Sequence, residues 1–274
     1  MPLEYHAILK SFNNAANQYE ENAVLQKEVM SRLIERLDDE CKIDPTFQPN
    51  HILDLGCGTG WAIPKFLKLF NNVKISALDF SKNMLEHISH HKQVNVIHSD
   101  VHDLPFEDNA FDVVFSNMLI HWCNEKDVFA ECMRVLKPNG LLIMSALGET
   151  SLVELKQSWL SVDKQMHVHD FPALHDMGDT LLKLGFEEPV VNAEIITLTY
   201  KDIISLMRDI KSSGGHNVIE SRKKGLMTRK QLNTLMNAYE EFRVDDRLPA
   251  SYEVVYLRAK KSKKINDISL AIKD

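Results

Sequence analysis

The chain has 274 residues, of which 44% are hydrophobic and 26% charged, enough apolar material for a sizeable core and too much for pervasive disorder. A formal net charge of −7 disfavours nucleic-acid binding by the whole surface, because phosphate neutralisation needs a positive face. No apolar run approaches the length that crosses a bilayer, the first residues carry no basic-then-apolar leader, and Cys41, Cys57, Cys123 and Cys132 form no Cys-x-x-Cys, so reduced thiols and a cytoplasmic location are expected. Residues 1–44 read as a helical cap, with Leu25, Val29, Leu33 and Leu37 at four-residue spacing, closed near Pro45 and Pro49. Residues 45–200 read as an α/β core. Its predicted strands are His51–Leu55, Val73–Leu78, Val94–Ile97, Phe111–Phe115, Leu141–Ser145 and Val190–Tyr200. Predicted helices cover Trp61–Phe70, Ser81–His90, Asn124–Leu136, Thr150–Val162 and His175–Leu184, with Ser81 and Asn124 as N-caps and Gly185 as a helix stop. Lys137-Pro-Asn-Gly140 reads as a turn before the fifth strand. This β-α alternation predicts a largely parallel, doubly wound, Rossmann-like sheet. Residues 201–248 are expected to form an inserted helical lid, 249–260 the last core strand and 261–274 a charged tail.

The sharpest motif is Ile52-Leu53-Asp54-Leu55-Gly56-Cys57-Gly58-Thr59-Gly60-Trp61, between a predicted strand and a predicted helix. A dinucleotide loop, G-x-G-x-x-G, would need its third glycine where Trp61 stands, and an indole would obstruct the close helix–strand packing that glycine permits. This counts against a nicotinamide dehydrogenase. The observed G-x-G-x-G, preceded by Asp54, resembles the loop of class I S-adenosylmethionine methyltransferases. That cofactor has no phosphate and needs an acid near its ammonium group. Asp79 follows the second predicted strand, where an acid can accept hydrogen bonds from ribose hydroxyls. The resemblance implies that Asp100 faces the adenine amino group, with the Val101 N–H meeting the ring. It places Asn117, at the end of the fourth strand, among the cofactor-binding residues together with Asp54, Gly56, Gly58, Gly60 and Asp79.

The flanks narrow the class. Ser11-Phe-Asn-Asn-Ala15-Ala-Asn-Gln-Tyr19, Ser116-Asn-Met-Leu-Ile-His-Trp122-Cys, Ser158–Asp163, Phe171 with His175–Asp179, Leu206–Gly214 and Leu226–Leu232 resemble the malonyl-acyl-carrier-protein O-methyltransferases of early biotin synthesis. The likeness runs over residues 8–260. Two positions depart from that family pattern: His121 stands where Gln is usual and His169 where Asn is usual. The implied reaction is methyl transfer from S-adenosylmethionine to the free carboxyl of a malonyl thioester. A carboxylate, with a solution pKa of about 4, is already ionised at neutral pH, so neither a general base nor a metal is required. Arg208 is the candidate to hold one carboxylate oxygen while the other attacks. Tyr19 is the candidate to close the methyl pocket, its hydroxyl orienting the substrate. His121 and Trp122 leave the fourth strand at the expected substrate edge, Trp122 as a wall.

Residues 201–230 hold eight basic residues against Asp202, Asp209 and Glu220, a net of +5 that leaves −12 on the rest of the chain. A basic lid on an acidic body suits an acidic acyl carrier protein. A metal site at His167, His169, Asp170, His175, Asp176 and Asp179 is not expected, since the chemistry needs none and no cysteine pattern supports it. Two other functions remain open. One is a small-molecule methyltransferase, with a quinone precursor as acceptor and His121 as its base. The other is a non-methylating relative, an assembly factor or hydroxylase that keeps the cofactor fold.

Overall fold

In the apolar runs of this sequence successive side chains point to opposite faces, so a strand without polar alternation must be covered on both. The computed structural model, which describes residues 4–215 and 227–263, has this architecture. The strands are β1 (His51–Leu55), β2 (Lys74–Asp79), β3 (Val94–His98), β4 (Phe111–Asn117), β5 (Leu136–Leu147), β6 (Phe186–Tyr200) and β7 (Leu248–Lys261). Among the described residues they form a seven-stranded sheet in the order β3-β2-β1-β4-β5-β7-β6. β1 to β5 are mutually parallel, and β7 runs antiparallel between β5 and β6.

The helices are α1 (Tyr5–Asn22), α2 (Val24–Ile43), α3 (Ile63–Leu69), α4 (Lys82–Leu85), α5 (Glu125–Val135), α6 (Val153–Leu160), α7 (Leu174–Lys183), α8 (Ile203–Ser212) and α9 (Arg229–Glu240). On one face Leu25, Val29, Leu33 and Leu37 of α2 and Phe66 of α3 share a buried cluster with Ile52, Val113, Phe115, Leu141 and Ile143. On the other, Phe129 and Cys132 of α5 and Met177 and Leu181 of α7 share one with Leu53, Leu55, Val114, Leu142 and Met144. No helix among the described residues is long and apolar enough to cross a membrane.

Two features of the topology place the site. Connections from β1 run outward through β2 to β3, whereas β4 and β5 lie on its other side, so a crevice opens beyond the carboxyl ends of β1 and β4. Because β7 is antiparallel to β5, with Leu147 opposite Val254, its first residue Leu248 lies beyond the carboxyl end of β5. Residues 201–247 therefore leave and re-enter the sheet on the same edge as the crevice. There α8 meets α1: the Ser11 hydroxyl donates to the Gly214 carbonyl at 2.9 Å. Gly214 ends α8 at φ +82°, and a Cβ there would stand 2.8 Å from the Phe12 ring.

Several boundaries differ from expectation, each for a local reason. The N-terminal helical segment breaks at Ala23 (φ −83°, ψ 56°) into two helices. The helix expected over 81–90 is only one turn long. Ser81 caps it, accepting from the Met84 N–H at 3.2 Å, and the chain then turns to set Ile88 against the glycine loop, 3.0 Å from where a Gly60 Cβ would lie. α6 begins at Val153 rather than Thr150, since Leu152 just before it is left-handed at φ 58°. Lys137–Gly140 is absorbed as an irregularity at the start of β5, where pairing passes from Phe111 with Leu136 to Val113 with Leu141. Phe66 is fully buried and meets the Phe115 ring edge-on at 5.0 Å. Phe66→Ala should cost about 3–5 kcal/mol in urea unfolding with an unchanged m value; a loss under about 1 kcal/mol would contradict this packing.

Candidate active site

The glycine loop is shaped by its bonds to the neighbouring strand. Gly56, Gly58 and Gly60 have φ of +71°, +54° and +83°, which an L side chain rarely adopts. The Gly56 and Cys57 N–H groups donate to the Leu78 carbonyl at 2.8 and 3.0 Å. The Gly58 N–H donates to Asp79 Oδ2 at 2.9 Å, and the Ser81 N–H to Asp79 Oδ1 at 2.8 Å. The acid at the end of β2 thus clips the loop that follows β1. A Cβ on Gly60 would stand 2.9 Å from Ile63, whereas one on Gly58 would face open space up to the Tyr19 ring at 3.8 Å. Backbone at Gly58 is therefore bare toward the crevice.

The acids are in an unusual state. Asp54 is 3% exposed and its Oδ2 is buried without a hydrogen-bond partner among the described residues. Burial, reinforced by the charge of Asp79, pushes the Asp54 carboxyl up to about 8. Burial also raises Asp79 to about 6, against the pull of its backbone hydrogen bonds. Asp100, beyond β3, is more open. Burial pushes it up, but the backbone N–H of His102 at 2.9 Å, the Tyr5 hydroxyl and the His102 ring outweigh that and hold it below the ordinary range. Val101 is buried behind it. At the end of β4, the Asn117 amide donates to the Gln26 carbonyl at 3.0 Å and accepts from the Ser145 hydroxyl at 2.8 Å.

α1 covers the crevice with an aromatic row. Tyr5 meets Phe80 edge-on at 5.6 Å, Phe12 meets Trp122 edge-on at 5.7 Å, and Tyr19 stacks on Trp61 at 5.1 Å. The helix is also pinned to the start of α4, where the Ser81 hydroxyl donates to Asn13 Oδ1 at 2.7 Å. Three cavities lie beneath. The first lies among Gly56, Gly58, Asp79, Asp100, Asn117 and the underside of α1. The second is an open groove past His102, Glu125 and Asp170. The third is an inner chamber between Leu25, Leu147, Leu198, Ile210 and Tyr252. Trp122 borders all three.

Of the residues expected to bind cofactor, Gly56, Gly58, Asp79, Asp100, Val101 and Asn117 line the first cavity, whereas Asp54 and Gly60 belong to the same strand and loop without bordering it; Tyr19 stands between the first and third cavities. His121 borders the groove and the inner chamber. Its Nδ1 accepts from the Leu147 N–H at 3.3 Å, and burial followed by the neighbouring His169 holds it well below its ordinary pKa. Arg208 is not brought in. It is exposed and borders none of these cavities, because it lies about 200° around α8 from the buried Leu206. Asp209 and Ile210 form the chamber wall instead. Of the basic run, Arg222, Lys223 and Lys224 lie outside the described residues. Of the residues weighed as metal ligands, His167 pairs with Asp163 at 2.8 Å and stacks on Trp159, and His175 pairs with Asp176 at 3.4 Å on the surface. Tyr5, Phe12, Asp209 and Tyr252 were not singled out from sequence. Tyr5, Phe12 and Tyr19 recur every seven residues, a spacing that marks one helix face.

A buried carboxylate oxygen without a partner, bare glycine backbone and two further acids at successive strand ends fit a cationic nucleoside of the S-adenosylmethionine kind. The methyltransferase domain family matches residues 53–144. The fold is likewise that of the YcgJ protein from Bacillus subtilis, with TM-score 0.58 and 12% identity over 85% of this chain and 100% of that one. The fold is thus that of the class I S-adenosylmethionine-dependent methyltransferases. Similarity over nearly the whole chain goes further. The malonyl-[acyl-carrier protein] O-methyltransferase of Gallionella capsiferriformans is 38% identical over 98% of this chain and 96% of its own length. That of Methylovorus sp. is 38% identical over 91% and 86%. The chain belongs to the malonyl-acyl-carrier-protein O-methyltransferase family.

The state of Asp54 has a measurable consequence. Its folded pKa lies above its ordinary value of 3.8, so the folded chain binds more protons than the unfolded one between those values. Stability of the cofactor-free protein should fall as pH rises from about 4 to about 8. Asp54→Asn should flatten that fall and raise stability at pH 8, read by urea unfolding across pH. An unchanged slope would mean that Asp54 is not held neutral by burial.

Proposed function

We propose that this protein transfers the methyl group of S-adenosylmethionine to the free carboxyl of malonyl-acyl carrier protein, giving the methyl ester that primes pimeloyl assembly in biotin synthesis. The observation that carries this reading is the unpartnered carboxylate of Asp54 beside bare glycine backbone, in a chain of this family. Bound S-adenosylmethionine supplies a methyl group already activated by its sulfonium. Asp54 accepts a hydrogen bond from the cofactor's ammonium group, and the bare backbone at Gly58 leaves room for its carboxylate, while Gly56 and Gly60 set the turn of the loop. Asp79 accepts the ribose hydroxyls. Asp100 and the Val101 N–H meet the base, and Asn117 borders the same cavity.

The remaining work is positioning. Tyr19, at the passage between cavities, closes the methyl pocket and orients the acyl end, while Trp122 walls it. Holding acceptor and donor in line can contribute about 7–11 kcal/mol in favourable cases. Arg208, facing outward, is left to the protein surface. With Lys201, Lys211, Arg222, Lys223, Lys224, Arg229 and Lys230 it gives the insertion a basic composition that suits an acidic carrier protein. The helical cap and the insertion act together as the cover of the α/β core.

The quinone-precursor reading needs a general base near neutrality, and His121 is poorly made for it. Its Nδ1 is occupied by a backbone N–H and its proton affinity is depressed. A malonyl acceptor predicts turnover that is flat between about pH 6 and 8 and survives His121→Gln; a limb near neutrality that vanishes in His121→Gln would favour the base-dependent acceptor. Labelled S-adenosylmethionine should transfer its methyl group to malonyl carrier, and no transfer would refute the reading. Charge reversal at Arg222, Lys223 and Lys224 should raise KM for the carrier-bound substrate more than for a small malonyl thioester, and equal changes would place docking elsewhere.

A further inference from the structure

The inner chamber poses a physical problem for the proposed substrate. Its walls are largely apolar, including Leu25, Leu147, Leu152 and Phe171, and a carboxylate taken into such surroundings needs a hydrogen-bond donor. Most polar groups along the wall are engaged or of the wrong sign. Asp209 accepts from the Tyr200 hydroxyl at 2.6 Å and would repel an anion. His121 holds a backbone N–H at Nδ1. His169, only 5% exposed, has its Nε2 buried without a hydrogen-bond partner among the described residues. It borders both the outer groove and the inner chamber. Its ring is held against Trp122 at 4.8 Å and Phe171 at 4.5 Å, so its orientation is fixed by packing.

We propose that His169 is a positioning residue for the acyl substrate, its Nε2–H donating a hydrogen bond to the malonyl carboxylate oxygen that does not attack. This rests on the methyltransferase reading above and names the group that holds the acceptor. A neutral imidazole suits the task better than a guanidinium. It orients one oxygen while leaving most of the negative charge on the other, which is the nucleophile. Three neighbours set the ring's charge: Lys156 disfavours protonation, Asp170 favours it, and His121 is a second buried imidazole. Burial is the largest influence and lowers His169 to about 4, so the ring is neutral at working pH and arrives as a donor of one proton without a formal charge. The bond is strongest before transfer, because the acceptor loses its charge as the ester forms. Its loss should therefore appear in substrate binding rather than in turnover.

The test uses malonyl N-acetylcysteamine as a small acceptor, so that carrier docking plays no part. His169→Phe keeps a ring between Trp122 and Phe171 but removes the donor. It should raise KM about tenfold or more with kcat within about twofold, and leave the melting temperature and S-adenosylhomocysteine affinity unchanged. His169→Asn, which restores an N–H, should recover part of the affinity. In the native chain with S-adenosylhomocysteine, NMR of the His169 ring should show its titration moving upward when malonyl thioester is added and not when its methyl ester is added. A ring titration unmoved by malonyl thioester, or an unchanged KM in a folded His169→Phe, would overturn the inference while wild-type methyl transfer left the activity standing. Absence of wild-type transfer to any malonyl thioester would instead refute the activity itself. Should His169→Phe fail to fold, the native-chain NMR titration decides.

Discussion

A carboxylate buried in the first strand with no hydrogen-bond partner for its Oδ2 among the described residues is the constraint around which this molecule is organised. Asp54 cannot be solvated, and Asp79, its nearest acidic neighbour, adds repulsion rather than relief. Such a group destabilises the empty fold whenever it is ionised. It is tolerated because the surrounding framework is well paired: five parallel strands, two apolar cores and backbone hydrogen bonds that fix the glycine loop to the end of β2. A ligand that brings a positive charge to Asp54 converts this liability into binding energy. In the proposed function the methyl donor's ammonium group does so, and cofactor affinity and fold stability are then coupled through one side chain.

The second organising element is the cover. α1 lies across the crevice and is fixed at several points: the Tyr5 hydroxyl on Asp100, Asn13 on Ser81, Ser11 on the Gly214 carbonyl, and the Phe12 ring over Gly214. The residues that hold the helix down thus belong to the second strand's loop, the third strand's loop and the end of α8. A chain segment far from the glycine motif in sequence becomes the roof of its cavity. The antiparallel entry of β7 is what allows this, since it brings the insertion to the same edge as the carboxyl ends of the parallel strands. The three cavities that result converge on Trp122, so the cofactor space, the surface groove and the inner chamber share one wall.

Much of this was legible in the sequence. The strands around Asp54, Asp79 and Asp100 are short apolar runs with an acid at or just beyond their ends, and parallel pairing then forces those acids to one edge. That logic needs only strand order, which short β-α connections nearly dictate. The antiparallel placement of β7 was not legible, because a strand's direction in the sheet depends on where a long insertion returns. Arg208 shows another limit. Its residue type suited a carboxylate, but helical phase set by Ile203, Leu206 and Ile210 turns it outward and Asp209 inward. Tyr5 and Phe12 were overlooked although they share a seven-residue spacing with Tyr19; the pattern reads as packing until the crevice beneath it is known. In the sequence His169 stands where the family usually has Asn and is one of several histidines near acids. Only the three-dimensional packing shows that its Nε2 lacks a partner among the described residues and that the residue borders a chamber.

The central claim is that Asp54 is held neutral in the empty protein and ionises against the cofactor's cation. Calorimetry of S-adenosylhomocysteine binding at pH 7, repeated in buffers of different ionisation enthalpy, counts the protons exchanged. With the free carboxyl near 8, the account predicts release of about one proton, abolished in Asp54→Asn. Binding with no proton release in the native chain, or the same release in Asp54→Asn, would contradict it.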